Sequence, residues 1–87
     1  MEKTDKFIDI DFLSRNLFTR GNDAYRGTFF HRPTYTRNWD IKYYTDGGCE
    51  KLVVESENAK VVVRGKCKVS TMLKACEVCG IEMDWKL

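Results

Sequence analysis

The stretch WDIKYYTDGGCEKLVVESENAKVVVR, residues 39–64, decides the fold. It is rich in β-branched and aromatic residues, which favour strands, and short polar segments interrupt it twice. The first interruption holds Asp46-Gly47, the strongest turn signal in the chain. A two-residue type I′ turn needs positive φ at both positions, and Asp followed by Gly supplies it readily. The stretch therefore predicts three successive antiparallel strands.

Two hairpins in this stretch send the same residues to one face of the sheet. A two-residue turn at Asp46-Gly47 places Ile41 opposite Leu52. A turn at Glu57-Asn58 places Leu52 opposite Val63, so the two registers agree. The predicted apolar face consists of Trp39, Ile41, Leu52, Val54, Val61 and Val63.

The remaining chain supplies helices and further strands. The predicted elements, in chain order, are a helix over 9–20, strands over 24–30, 35–44, 49–56 and 60–69, a helix over 71–79 and a strand over 81–87. Asp11 and Gly21 are candidate start and stop residues for the first helix, and Ser70 and Gly80 for the second. Residues 7–11 also alternate as a strand would, so the start of the first helix stays open.

These elements assemble into a single α+β domain over residues 1–87. A short helix precedes a four-stranded antiparallel meander, and a helix and a C-terminal strand follow it, with both helices on the apolar face. The alternative is a small SH3-like or Sm-like barrel, which shares this order of elements. The chain has 87 residues, 43% of them hydrophobic, which suffices for one core and is too short for two.

Composition and charge exclude several classes of protein. Fifteen Lys and Arg against thirteen Asp and Glu leave a formal charge of +2, too small by itself to indicate a nucleic-acid binder and of the wrong sign for a DNA mimic. No apolar run reaches the length of a secretory or membrane segment, so we expect a cytoplasmic protein without a membrane partner. In that reducing compartment the four cysteines are expected to be free thiols or metal ligands rather than disulfides.

The opposite face of the predicted sheet carries a basic row. Its predicted members are Lys42, Lys51 and Arg64, on three adjacent strands. Like charges side by side cost about 0.2–1 kcal/mol per pair, which an anionic partner would relieve. Lys66 and Tyr44 fall in the next row, where Tyr44 could stack on a base. The plainer interpretation is a solvated face whose long side chains splay apart.

A second basic and aromatic cluster surrounds Pro33. Its members are Arg26, Phe30, His31, Arg32, Tyr35 and Arg37. Arginines with aromatic residues are favoured in RNA recognition and at protein interfaces alike. The plainer interpretation is that the arginines keep an edge strand soluble.

No catalytic or metal-binding motif is present. Cys76 and Cys79 have zinc-knuckle spacing, but Cys49 and Cys67 do not form the matching half of a site. The pair ends a predicted helix, where the dipole disfavours a thiolate, so it is expected to be core rather than redox-active. His31 is the only histidine available as a general base. We therefore expect neither an enzyme nor a cofactor.

The functional expectation is a small, non-enzymatic binding module that acts stoichiometrically on a partner protein. An inhibitor or adaptor, such as a phage-encoded blocker of host defence, would fit this description. The alternative is RNA or single-stranded DNA binding through the basic sheet face. The sequence leaves the oligomeric state open, as well as whether residues 81–87 join this sheet or pair with another copy.

Overall fold

Five strands form one open antiparallel sheet, and two helices pack on one of its faces. The computed structural model describes residues 4–23, 27–32, 39–46 and 50–87. The elements are α1 (Ile10–Arg15), β1 (Thr19–Asp23), β2 (Gly27–His31), β3 (Trp39–Tyr44), β4 (Lys51–Ser56), β5 (Lys60–Arg64) and α2 (Val69–Val78). Their spatial order is the chain order, β1 to β5, so the described sheet is a half-barrel with two edges rather than a closed barrel. The α+β class is as predicted, but the meander has five strands rather than four, because β1 joins it.

The core lies between the sheet and the helices. Ile41, Leu52 and Val54 are fully buried, and Trp39, Val61 and Val63 pack partly buried against them, which confirms the predicted apolar face. The helices and the segments beside them contribute Phe12, Leu13, Phe18, Val69, Met72, Ala75, Cys76, Cys79 and Ile81. Alternation in the strands thus identified the buried face because the side-chain period of a strand is two.

The register between β3 and β4 differs from the prediction by two residues. Ile41 lies opposite Val54 rather than Leu52, although Leu52 does lie opposite Val63 as predicted. Gly47 of the predicted turn lies outside the described residues, and Asp46 Oδ2 accepts a hydrogen bond from the Thr28 N–H at 3.2 Å. A shift of two residues keeps every side chain on its predicted face.

The first helix is shorter than predicted, and the last two residues of the predicted helix, Thr19 and Arg20, belong to β1. Asp9 rather than Asp11 caps the helix, accepting from the Phe12 N–H at 2.8 Å. The helix ends because Leu17 adopts a left-handed conformation with φ of 65°. β1 then follows at residues 19–23, where the sequence TRGND has no strand pattern of its own and pairs instead with β2.

The first and last segments are extended without joining the main sheet. Phe7 makes a single antiparallel bridge with Lys68, so the open question at residues 7–11 resolves as extended chain followed by helix. Residues 81–87 form no strand, which corrects the prediction, although Ile81 is buried and Trp85 stacks on Phe12 with ring centroids 5.8 Å apart.

The Asn16 side chain takes the place of a strand neighbour for the C-terminal segment. The Lys86 N–H donates to Asn16 Oδ1 at 2.7 Å, and Asn16 Nδ2 donates to the Lys86 carbonyl at 3.0 Å. This pair of bonds imitates one step of a β-ladder and holds the segment against α1.

α2 begins at Val69, two residues before its predicted start, and its last residue is Val78. Ser70 therefore lies inside the helix rather than capping it. The first turn is instead satisfied by the N-terminal segment, because the Val69 N–H donates to the Lys6 carbonyl at 2.8 Å and the Ser70 N–H to the Thr4 carbonyl at 3.0 Å. Neither described helix is long and apolar enough to span a membrane.

Candidate functional site

The candidate site is the face of β3, β4 and β5 that points away from the helices, called here the outer face. Alternate residues of the three strands form it: Asp40, Lys42, Tyr44, Lys51, Val53, Glu55, Lys60, Val62 and Arg64. Four of these residues are cationic and two are anionic, so the outer face carries an excess of positive charge. This surface contains Lys42, Lys51 and Arg64, the three members of the predicted basic row.

The three residues of the predicted basic row form a directly opposed pair and one diagonal neighbour. Lys51 lies opposite Arg64, as predicted. Lys42 lies opposite Val53 rather than Lys51, because of the two-residue shift between β3 and β4, so the predicted row of three is wrong. Lys42 Nζ is 3.6 Å from Asp40 Oδ2, so a carboxylate on the same strand offsets its charge.

The centre of the outer face is apolar. Val53 pairs with Val62 across β4 and β5, and Val62 is 45% exposed. Beyond this pair, Lys60 lies opposite Glu55 with Nζ and Oε2 3.9 Å apart, an ion pair that the sequence register predicted. Across β4 and β5 the face therefore has a like-charged pair, an apolar pair and an ion pair in succession.

Tyr44 lies on this face but is not available to stack on a base. The residue is only 2% exposed. Lys51 Nζ lies 5.2 Å from the centroid of its ring, within range of a cation–π contact. The contact positions the lysine beside Arg64, so Tyr44 supports the basic pair instead of meeting a ligand.

Lys66 is not part of the outer face. β5 ends at Arg64, and Gly65 has φ of 91°, a conformation that breaks the strand alternation. Lys66 instead lines a groove of about 490 Å³ between the start of α1 and the sheet, with Phe7, Ile10, Tyr43 and Glu50 among the other lining residues. Alternation extended the predicted strand too far and placed Lys66 on the wrong surface.

The predicted cluster around Pro33 is divided among different surroundings. Phe30 packs against the core, and His31 points to the outer side of β2, opposite Lys42 in the register. Arg32 Nη1 donates to the Asn16 carbonyl at 2.6 Å. The guanidinium thus lies at the C-terminal end of α1, where the helix dipole favours a positive charge. The other members, Arg26, Tyr35 and Arg37, lie outside the described residues.

The described cysteines lie in the core. Burial, with a smaller contribution from the neighbouring Cys79, raises the pKa of the Cys76 thiol to about 12. Burial also raises the pKa of Cys67. Cys79 Sγ lies 3.6 Å from the Val54 carbonyl, to which it can donate. No group of three or more potential metal-ligating side chains occurs among the residues described.

These thiols make the fold sensitive to alkaline pH. A thiol with a raised folded-state pKa holds its proton more tightly in the folded protein, so its contribution is complete below pH 9 and is lost as pH rises towards 12. We expect the free energy of unfolding, measured by urea titration, to fall as the pH rises from 9 towards 12. The Cys76→Ala variant should show a smaller fall, and an unchanged slope would contradict the assignment to Cys76.

Comparisons with protein-family models, curated proteins and solved structures find no match for this chain. The site is therefore assessed from its geometry alone.

The sequence analysis missed two features of the structure. The first is Asn16, and its only sign in the sequence is that a polar residue interrupts an apolar helical pattern. The second is the exposed edge of β5, which becomes visible only when the strand order is known.

Proposed function

We propose that this protein is a non-enzymatic binding module that acts stoichiometrically on a partner protein, as an inhibitor or adaptor in the cytoplasm. Its contact surface is the outer face, and the matching surface of the partner is acidic. The observation that carries the proposal is the Lys51–Arg64 pair, set directly beside the Val53–Val62 pair, in which Val62 is exposed and Val53 is half-buried.

The basic pair costs the isolated protein stability. Like charges directly opposite each other in a sheet destabilise it by about 0.2–1 kcal/mol. A carboxylate placed between Lys51 and Arg64 would reverse the sign of that interaction. The neighbouring valines would lose water in the same contact, which favours association. Contact with one acidic, partly apolar partner surface would therefore stabilise both the basic pair and the valines.

A protein partner fits the outer face better than a nucleic acid does. Tyr44 is buried, so it offers no stacking platform. Asp40 and Glu55 lie close to Lys42 and Lys60, which would place carboxylates near a phosphate backbone. Exposed Val62 and half-buried Val53 at the centre of the surface suit the apolar core of a protein interface. RNA or single-stranded DNA binding therefore remains the weaker candidate.

Charge reversal at Lys51 tests the proposal. The tagged protein and its Lys51→Glu variant are used to capture partners from the native cell. The matched control is Lys86→Glu, because Lys86 is exposed and belongs to the C-terminal segment rather than to the outer face. We expect a protein captured by the parent and by Lys86→Glu to be lost with Lys51→Glu, because the partner carboxylates would then face a glutamate.

The competing function predicts a different result. Fluorescence anisotropy with single-stranded DNA and RNA oligonucleotides at low salt should show no binding, since nucleic-acid affinity would be greatest there. Oligonucleotide binding that Lys51→Glu abolishes, or a captured protein that both variants retain equally, would refute protein binding through the outer face.

A further inference from the structure

The two edges of the sheet differ in chemistry. The β1 edge reads TRGND, which is polar throughout. The β5 edge reads KVVVR, three valines between two cations. Edge strands with apolar residues are templates for another strand, and proteins commonly protect them with charge. The β5 edge is therefore the one suited to adding a strand.

The backbone groups on the outer side of β5 can be assigned from the hydrogen bonds of its inner side. The Gly65 N–H donates to the Glu50 carbonyl at 2.7 Å, and the Ala59 carbonyl accepts from the Ser56 N–H at 2.8 Å. Since these groups alternate along an antiparallel strand, Val61 and Val63 also face β4. The N–H and C=O groups of Lys60, Val62 and Arg64 consequently point away from the sheet.

An apolar groove lies beside this edge, between β5 and α2. Its volume is about 520 Å³, and Val61, Val63, Ala75 and Val78 are among its lining residues. Val78 is 60% exposed. A strand added to β5 would place every second side chain over this groove, because successive side chains point to opposite faces.

The charges at the ends of β5 select the occupant. In an antiparallel pairing centred on Val62, the residues opposite Lys60 and Arg64 lie on the outer face beside those cations. A second copy of this chain would place Arg64 opposite Lys60 at both ends, which is repulsive. An incoming strand with acidic residues at those two positions makes an attractive charge contact at each end instead.

We infer that the β5 edge binds an extended segment of a partner protein by strand addition. Its acidic residues lie opposite Lys60 and Arg64, and its apolar residues enter the groove beside Val78. This inference rests on the proposed function, because the partner is a protein, and it adds how the partner is recognised.

Amide hydrogen exchange with a synthetic peptide tests the inference. The probe is a capped peptide with the central sequence Glu-Val-Thr-Val-Glu, and its matched control has Lys-Val-Thr-Val-Lys. In the free protein the Val62 amide should exchange quickly while those of Val61 and Val63 are protected. At about 1 mM glutamate peptide, a concentration that detects weak affinity, exchange at Val62 should slow at least about tenfold.

Two variants separate the backbone and charge contributions. Val62→Pro removes the outward N–H without removing a bond to β4, and it should abolish protection by the peptide. Arg64→Glu retains the edge and should shift the preference towards the lysine peptide, so it gives an answer even if the proline variant does not fold. Unchanged exchange at Val62, equal binding of both peptides, or protein-concentration-dependent protection without peptide would overturn the inference.

The outcomes also separate this inference from the proposed function. If Lys51→Glu abolishes partner capture while the glutamate peptide leaves Val62 unprotected, the outer face binds a protein and strand addition fails. If the peptide protects Val62 while Lys51→Glu retains every partner, the edge accepts a strand and the outer-face proposal fails.

Discussion

Replacing Asn16 by alanine is expected to lower the free energy of unfolding by about 2–4 kcal/mol, the range for breaking a buried hydrogen-bond network. Asn16 is 2% exposed and joins three parts of the chain. Its side chain donates to the Phe12 carbonyl at 2.9 Å and forms the two bonds to the Lys86 backbone. Its own carbonyl accepts from Arg32. The substitution leaves the Lys86 N–H and C=O without their partner and releases the C-terminal segment.

Urea denaturation measures this loss, and the matched control is Asn22→Ala. Asn22 is exposed on β1, so its substitution should change stability by no more than about 0.5 kcal/mol. Hydrogen exchange supplies a local readout, since the Lys86 amide should lose protection in Asn16→Ala. Equal stability of the two variants, or a Lys86 amide that stays protected, would show that the network does not hold the segment.

Arg64→Glu is expected to change stability and partner binding in opposite directions. The substitution converts the repulsive Lys51–Arg64 pair into an ion pair and leaves the contact between Lys51 and Tyr44 in place. The free energy of unfolding should rise by about 0.5–1 kcal/mol. Affinity for an acidic partner should fall by about tenfold or more, because an attractive contact becomes a repulsive one.

This combination distinguishes a binding surface from a merely solvated one. Stabilising substitutions are common on protein surfaces, so the gain in stability alone does not identify a binding surface, and the accompanying loss of affinity is the deciding quantity. Arg64→Gln, which removes the repulsion without adding an attraction, should give intermediate values for both quantities. A destabilised Arg64→Glu variant, or one with unchanged affinity for the captured partner, would contradict the assignment of Lys51 and Arg64.

The buried face of the sheet could be predicted because it depends only on a period of two. Ile41, Leu52 and Val54 are buried whichever even register the strands adopt. The register at the first hairpin was predicted from the turn preference of Asp46-Gly47, and the observed pairing differs from it by two residues. A local turn preference does not by itself fix which residues of two strands lie opposite each other, whereas the alternation of apolar residues does fix the face.

The boundary between α1 and β1 was unpredictable for a related reason. Leu17 does not commonly adopt positive φ, so nothing in its neighbourhood marks the end of the helix. At the other terminus, the predicted strand over 81–87 was wrong, although Ile81 is buried and Trp85 is half-buried. Their segment is not a strand because Asn16, a single side chain, occupies the position of a pairing strand.

The candidate site was predicted in part. The opposition of Lys51 and Arg64 followed from a hairpin whose register was correct. The placement of Lys66 failed because Gly65 ends β5, and the role given to Tyr44 failed because strand alternation reports the face of a residue and not its burial. Sequence patterns therefore located the basic pair but not its surroundings.

The central claim is that the outer face contacts a protein. Photo-crosslinking in the native cell tests it most directly, with a photoreactive residue at Val62 and, as control, at Ile10, which is also exposed but lies on α1. The account predicts one defined protein adduct from position 62 that Lys51→Glu removes, and no such adduct from position 10. Nucleic-acid adducts, or the same products from both positions, would contradict it.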